Sequence, residues 1–123
     1  MIPILTASLL AISLHSTAAI EDYITFRAQA YNYPVQKALA IAFCESGIRQ
    51  HSDGEVLSGI VNNKDKGVFQ INEYYHLERS QKLGLDIHTT AGNIEYALWL
   101  MEKEGDKHWS ASKPCWKKLI NKT

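Results

Sequence analysis

The sequence predicts a mostly helical α domain with a small β-hairpin, and three observations support this prediction. Apolar residues recur at three- and four-residue steps in two long segments, as they do in amphipathic helices. Residues that commonly begin or end helices, among them Pro34, Gly47 and Gly105, border those segments. The chain has 123 residues and no internal repeat, which is enough for one domain with its own core.

The N-terminal segment is typical of a secretion signal. Residues 2–14 are mostly apolar, no charged residue precedes Glu21, and Ser16-Thr17-Ala18-Ala19 offers the small residues that a signal peptidase accepts. No Lys or Arg precedes the apolar stretch, which departs from the usual signal, and the stretch is too short to predict a membrane span. We expect residues 1–19 to be the signal peptide of an exported protein and residues 20–123 to be the mature domain.

Charge and cysteine content restrict the function further. Thirteen basic and thirteen acidic residues cancel, whereas a nucleic-acid binder normally has a basic excess on one face. The five histidines are scattered without the spacing of metal ligands, so no metal site is expected. In an exported protein, two cysteines favour a disulfide between Cys44 and Cys115, with inert buried thiols or a catalytic cysteine as the alternatives.

Two helices are expected in the first half of the mature chain. The first runs from Glu21 to about Asn32, and the second starts with Pro34 at its first position and ends before Gly47. The apolar stripe of the second helix consists of Val35, Ala38, Leu39, Ala42 and Phe43. The polar residues 50–66 follow, and within them the β-branched Ile60-Val61 could form a strand or hairpin.

Two more helices and a tryptophan-rich segment complete the predicted domain. Asn72 is expected to cap a helix that runs to about Leu83, and Thr90 is expected to cap a longer helix that Gly105 ends. The last segment, Trp109 to Trp116, closes the domain.

Glu45 is the most informative ionisable residue. It shares a helix face with the apolar Ala38, Ile41 and Ala42, and it lies in the last turn, where the helix dipole disfavours negative charge. Both effects raise the pKa of a carboxylic acid, and a carboxyl group that stays protonated near neutral pH can act as a general acid. The alternative is a solvated Glu at a frayed helix end, and position alone does not separate the two.

A second motif favours the functional interpretation. The segment Gly67-Val68-Phe69-Gln70-Ile71-Asn72, following Cys44-Glu45-Ser46-Gly47, resembles the lysozyme-like superfamily, in particular bacterial soluble lytic transglycosylase domains and goose-type lysozymes. Glu73-Tyr74-Tyr75-His76 and the later Asn93-Ile94 are similar to segments in the same order in those families. The resemblance covers residues 41 to about 116.

The resemblance implies that Glu45 is the single acid/base residue for cleaving β-1,4 bonds between N-acetylmuramic acid and N-acetylglucosamine in peptidoglycan. Gln70 would hydrogen-bond an N-acetyl group or a hydroxyl, and Gly67 would let the backbone approach the ligand closely. Tyrosine rings could stack on sugars or pack in the core. The expected substrate-binding residues are Ser46, Gly67, Gln70, Asn72, Tyr75 and Tyr96. We expect a monomer that needs no cofactor.

The reaction type stays open between two routes. Hydrolysis by the two-carboxylate route needs a second acid, for which the candidates are Asp53, Glu55, Asp65 and Glu73. A lytic transglycosylase needs only Glu45, because the substrate supplies its own nucleophile. Asn72 stands where some goose-type enzymes have Asp, which favours the transglycosylase. Against that, Trp109-Ser110-Ala111-Ser112 replaces the Ala-Tyr-Asn-Ala-Gly stretch of transglycosylases. A non-catalytic peptidoglycan-binding module is the third possibility.

Overall fold

Five α-helices form most of residues 14–122, the part of the chain that the computed structural model describes. The mostly helical class is therefore confirmed. Residues 1–13 of the expected signal peptide lie outside the described residues. The elements in order are α1 (Thr17–Ala30), α2 (Val35–Ser46), β1 (His51–Ser52), β2 (Glu55–Val56), β3 (Asp65–Lys66), β4 (Ile71–Asn72), α3 (Glu73–Lys82), α4 (Thr90–Glu104), a 3₁₀ helix (Lys107–Ser112) and α5 (Lys113–Ile120).

Three of the expected helix boundaries are confirmed by their capping geometry. The Asn72 side chain accepts a hydrogen bond from the backbone of Tyr75 and so caps α3. Gly47 ends α2 in the left-handed conformation with φ 69°, and its amide bonds back to the last turn. Gly105 ends α4 with φ 73°.

Three helices begin at residues different from those expected. Helix α2 starts at Val35, because Pro34, the expected first residue, is its N-cap. Helix α1 starts at Thr17, four residues before Glu21, because the Ser16 side chain accepts from the amide of Ala19 and caps it there. It thus runs through the expected cleavage point after residue 19, and that cleavage stays a prediction. Helix α4 is capped by Thr89, whose hydroxyl accepts from Gly92, whereas the expected cap Thr90 is the first helical residue.

The small hairpin expected before the second motif is present. Strands β1 and β2 pair antiparallel, and β3 and β4 form a second antiparallel pair. The placement of a strand at Ile60-Val61 was wrong: both side chains are fully exposed at the tip of the loop between β2 and β3. Gly59 bonds to Asp65 across the base of this loop, so the tip has no neighbouring strand to pair with.

The core lies between α1, α2 and α4. Helix α4 is buried on almost every side and supplies large apolar side chains such as Ile94, Leu98 and Leu100. It also buries Glu95, whose carboxylate accepts hydrogen bonds from Tyr23, Arg27 and Tyr31. These donors, two in α1 and one at its C-cap, satisfy a charge that would otherwise be costly inside the core. No helix among the described residues is long and apolar enough to cross a membrane.

The expected disulfide between Cys44 and Cys115 is present, with a Cα–Cα distance of 6.0 Å. It joins the last turn of α2 to the first turn of α5, and these two helices pack against each other. The bond therefore fixes the C-terminal helix to the helix end that carries Glu45.

Removing this disulfide should lower stability, because the bond closes a loop with a sequence separation of 71 residues. In the chain-entropy model, the paired substitution Cys44→Ser and Cys115→Ser should reduce the free energy of unfolding by about 4 kcal/mol, as measured by urea denaturation. Reductant should destabilise the natural sequence by a similar amount and leave the double variant unchanged. An equal response of both proteins to reductant would contradict the prediction.

Candidate active site

Glu45 lies in the last turn of α2, where two adjoining surface depressions meet. Its side chain is partly buried, and its Oε2 accepts a hydrogen bond of 2.6 Å from the hydroxyl of Ser112. Ser112 ends the 3₁₀ helix, and its hydroxyl is also 3.1 Å from the carbonyl of Trp109. The carboxyl group is therefore positioned by a residue 67 positions away in the sequence.

Burial and two neighbouring residues act on the pKa of Glu45, and their net effect is to raise it above the ordinary value of Glu. Burial is the largest cause, since it penalises the charged form. The hydrogen bond from Ser112 opposes it by stabilising the carboxylate, and the negative charge of Asp65 raises the pKa further. The protonated form of Glu45 thus persists to higher pH than that of a solvated Glu, as a general acid requires.

The backbone of residues 66–69 is held by two buried amide side chains. Gln50 accepts from the amide of Val68, and Asn93 accepts from the amide of Phe69. The side-chain nitrogen of Asn93 donates to the carbonyl of Lys66, and both amides also donate to the carbonyl of Ile87. This irregular segment is thereby tied to α4 and to the chain after α2.

Two further side chains complete the support of this segment. The hydroxyl of Ser46 donates to the carbonyl of Val68 at 2.7 Å, and the indole of Trp109 donates to the carbonyl of Phe69 at 2.9 Å. Ser46 is buried and also accepts from the amide of Arg49. It therefore connects the helix end beside Glu45 to the second motif. Its hydroxyl both donates and accepts a hydrogen bond inside the protein.

Gly67 and Gln70 both have positive φ, for different reasons. A Cβ on Gly67 would come within 2.3 Å of Gln50 and 2.6 Å of Asn93, so glycine is needed here for internal packing. Gln70, with φ 51°, holds a conformation that is uncommon for a side-chain-bearing residue. Its side-chain nitrogen donates to the Gly67 carbonyl, and its side chain lines both depressions beside Glu45.

One depression, which we call the aromatic depression, has a volume of about 250 Å³. It shares four lining residues with the other depression, namely Glu45, Asp65, Gln70 and Ala111. Its remaining lining residues are Ile71, Asn72, Tyr75, His76, Leu100, His108 and Trp109. The rings of His76 and His108 are in contact, with centroids 5.3 Å apart. Burial lowers the pKa of His76 to about 4, assisted by His108 and Arg79, so His76 is neutral near pH 7.

The other depression, which we call the aliphatic depression, has a volume of about 450 Å³. Beyond the four shared residues, it is defined by Cys44, Arg49, Leu57, Ser58, Gly59, Ile60, Val61, Asn62 and Ser112. No aromatic residue lines it. Because Glu45, Asp65, Gln70 and Ala111 line both depressions, the two adjoin at the acid.

Of the four acids considered for a second carboxylate, Asp65 is the one that lines both depressions. It accepts a hydrogen bond of 3.0 Å from the Asn72 side chain, which orients its carboxylate. Asp53 and Glu55 lie at the exposed β1–β2 hairpin. Glu73 instead pairs with His88 at 3.1 Å.

The two expected tyrosines have different environments. Tyr75 is 74% exposed at the start of α3 and lines the aromatic depression, where its ring is free to contact a ligand. Tyr96 is fully buried, so its expected contact with a ligand is corrected to a structural role. Its hydroxyl accepts from Arg79 and is 2.8 Å from Nδ1 of His76, so it positions His76 from below the cleft.

Four residues of the site were not predicted from the sequence: Ser112, Gln50, His108 and Arg49. Ser112 belongs to the segment Trp109-Ser110-Ala111-Ser112, which stands where transglycosylases have their tyrosine stretch. No residue near Ser112 in the sequence indicates that its side chain contacts Glu45. Gln50 lay in a segment interpreted only as polar. No three His, Cys, Asp or Glu side chains within residues 14–122 form a group that could hold a metal ion.

Compared with known protein families, with curated proteins and with solved structures, the chain matches none of them. The site is therefore interpreted from its own geometry and chemistry.

The bond from Ser112 should be measurable in the titration of Glu45. Because the hydroxyl stabilises the carboxylate, Ser112→Ala should raise the pKa of Glu45 further above its value in the natural sequence. NMR titration of the side-chain carboxyl carbon provides the measurement. Ser110→Ala, an exposed serine in the same 3₁₀ helix, is the matched control and should leave the pKa unchanged. A pKa that falls or stays constant in Ser112→Ala would show that the bond does not act on Glu45.

Proposed function

We propose that this protein cleaves the β-1,4 glycosidic bonds between N-acetylmuramic acid and N-acetylglucosamine in peptidoglycan, with Glu45 as the acid/base residue. The observation that carries this proposal is the environment of Glu45: a partly buried carboxyl group with a raised pKa that lines two adjoining depressions. Protonation of a glycosidic oxygen needs such an acid, and a polymeric strand needs a cleft open on both sides of it.

The proposed fold class is lysozyme-like. The helix that carries Glu45 in its last turn is followed by the small β1–β2 hairpin and then by residues 67–72, in the order that the sequence resemblance implies. Gln70 and Glu45 line the same two depressions, which supports a shared role in binding and cleaving one ligand. Tyr75 offers an exposed ring on which a sugar face can stack.

The proposed reaction is that of a lytic transglycosylase. Glu45 donates its proton to the leaving oxygen, and the resulting carboxylate then accepts the proton of the C6 hydroxyl as that oxygen attacks the anomeric carbon. The product is an anhydro-muramyl end, and no water is consumed. A single acid that alternates between its two protonation states is sufficient for this route.

Hydrolysis is the second candidate, and the position of Asp65 is the observation that favours it. Asp65 lines the cleft on both sides of Glu45 and is close enough for its charge to raise the pKa of Glu45. Glycosidases that hydrolyse their substrate commonly use two carboxyl groups with unequal environments, one as the acid and one as the nucleophile or base. In that route Asp65 would act as nucleophile or base, and the product would carry a reducing end.

Export to the cell envelope or beyond is part of the proposal. Peptidoglycan lies outside the cytoplasm, and the disulfide between Cys44 and Cys115 is of the kind that persists in oxidising compartments. The N-terminal segment supplies the expected signal, and the enzyme would act as a monomer without a cofactor.

The role of Glu45 is tested by Glu45→Gln on purified peptidoglycan. Turnover should fall by about 10²–10⁴-fold because the amide cannot donate a proton to the leaving group, whereas binding to the strands should persist. Glu55→Gln, an exposed acid on the β1–β2 hairpin, is the control and should retain activity. Strand binding by the natural sequence without any turnover would instead identify a non-catalytic binding module.

Asp65→Asn, combined with mass spectrometry of the products, separates the two reactions. A transglycosylase should release anhydro ends and keep most of its activity in Asp65→Asn. The alkaline limb of its pH profile should move to lower pH, because loss of the Asp65 charge lowers the pKa of Glu45. A hydrolase should release reducing ends and lose about 10²-fold or more in Asp65→Asn. Asp53→Asn, at the exposed hairpin turn, is the matched control for both.

A further inference from the structure

Two cross-links join the end of α2 to the junction between the 3₁₀ helix and α5. One is the disulfide between Cys44 and Cys115, and the other is the hydrogen bond of 2.6 Å that Glu45 accepts from Ser112. Cys44 directly precedes Glu45 in the chain, and Cys115 follows Ser112 by three residues. The covalent bond and the hydrogen bond therefore connect the same two short segments.

The hydroxyl of Ser112 has two acceptors within reach. It lies 2.6 Å from Oε2 of Glu45 and 3.1 Å from the carbonyl of Trp109, which belongs to the same 3₁₀ helix. A hydroxyl carries one hydrogen, which it can donate fully to one acceptor at a time. A small displacement of Ser112 away from α2 would therefore break the bond to Glu45 and leave the bond to Trp109 in place.

The position of Ser112 depends on the residues that anchor the chain on either side of it. On one side the buried Trp109 donates to the carbonyl of Phe69, and this anchor does not involve the disulfide. On the other side α5 has eight residues, too few for a helix to be stable by itself in water, and Trp116 is the one residue of this fully described helix that is buried. The bond through Cys115 is thus a main constraint on this side of Ser112.

The disulfide is accessible to a reductant. Cys115 is exposed, and Cys44 is partly exposed and lines the aliphatic depression. Thiol–disulfide exchange requires such access for the attacking thiolate. A dithiol that reduces the bond gives up two electrons and two protons and closes to its own disulfide, while Cys44 and Cys115 become thiols.

We propose that the disulfide between Cys44 and Cys115 is a redox switch for the acid Glu45. In the oxidised protein it holds Ser112 against the carboxyl group. In the reduced protein Ser112 moves to its second acceptor, and Glu45 loses this positioning contact. Because the cytoplasm keeps thiols reduced, the acid would be fully positioned only after export. The control of activity rests on the proposed function, whereas the effect on the carboxyl group of Glu45 is independent of it.

The first test measures the pKa of Glu45 by NMR titration of its carboxyl carbon in the oxidised and in the reduced protein. Reduction is carried out with dithiothreitol at about pH 8, where thiolates form, and the sample is then kept free of oxygen. The pKa should rise on reduction, because the bond from Ser112 lowers it while burial and the charge of Asp65 remain.

Three variants show whether the effect passes through Ser112. Ser112→Ala should have the raised pKa of Glu45 in both states and show no further change on reduction. The paired change Cys44→Ser and Cys115→Ser should give the raised pKa with or without reductant. Ser110→Ala, an exposed serine of the same 3₁₀ helix, is the matched control and should respond to reduction as the natural sequence does.

The second test measures kcat on purified peptidoglycan in both redox states. Reduction of the natural sequence should lower kcat by about tenfold, the effect of losing one hydrogen bond to a charged group. Ser112→Ala should begin at the lower value and should not respond to reduction. Oxidation of the reduced natural sequence should restore kcat.

Three results would overturn the inference. They are an unchanged pKa of Glu45 on reduction, an equal response of Ser112→Ala and the natural sequence, and complete loss of the folded far-UV circular dichroism signal, since the switch requires a reduced protein that stays folded. A pKa that responds as expected without turnover in either state would support the effect on Glu45. It would overturn the proposed function and, with it, the redox control of activity.

Discussion

The structure depends on one constraint: the buried backbone of residues 67–69, between β3 and β4, must find hydrogen-bond partners without belonging to a helix or a strand. Gln50 and Asn93 accept from two of its amides, and Ser46 and Trp109 donate to two of its carbonyls. An unpaired buried amide or carbonyl costs about 1–3 kcal/mol, so these four side chains are as necessary as the apolar core. They come from three parts of the chain, namely the end of α2 with the residues just after it, α4 and the 3₁₀ helix, and the segment therefore fixes the relative positions of these parts.

The cleft follows from this network. Gly67 fits because glycine alone leaves room for the amides of Gln50 and Asn93, and the chain then turns so that Gln70 adopts its left-handed conformation beside Glu45. A conformation of this kind is kept only where the surroundings determine it, and such positions cluster at functional sites. Ser46 and Gly67 thus serve the proposed site by supporting the residues that line it, rather than by contacting a ligand themselves.

Local features of the sequence were enough to predict four of the five described helices, and the caps at Gly47, Asn72 and Gly105 were correct because they depend on neighbouring residues alone. Helix α5 and the starts of α1, α2 and α4 were not predicted correctly. The disulfide was also predictable, since two cysteines allow a single intramolecular pairing. The hydrogen bond from Ser112 to Glu45 was not, because it joins residues 67 positions apart through packing that no short pattern encodes. The expectation that Tyr96 contacts a ligand failed for the same reason. A tyrosine ring, apolar with one hydroxyl, suits either a cleft or a core, and only the packing of the surrounding helices decides between them.

The raised pKa of Glu45 has a consequence for the stability of the folded protein. Its raised pKa means that the folded protein binds the proton more tightly than the unfolded chain does. Glu45 therefore contributes fully to the free energy of unfolding only below the pKa that Glu has in the unfolded chain. This contribution is lost as the pH rises through the higher pKa that Glu45 has in the folded protein. Near neutral pH the buried carboxylate opposes folding, an effect that the bond from Ser112 offsets in part. The direction of this shift agrees with the role of proton donor proposed for Glu45, since a general acid must hold its proton to higher pH than a solvated Glu does.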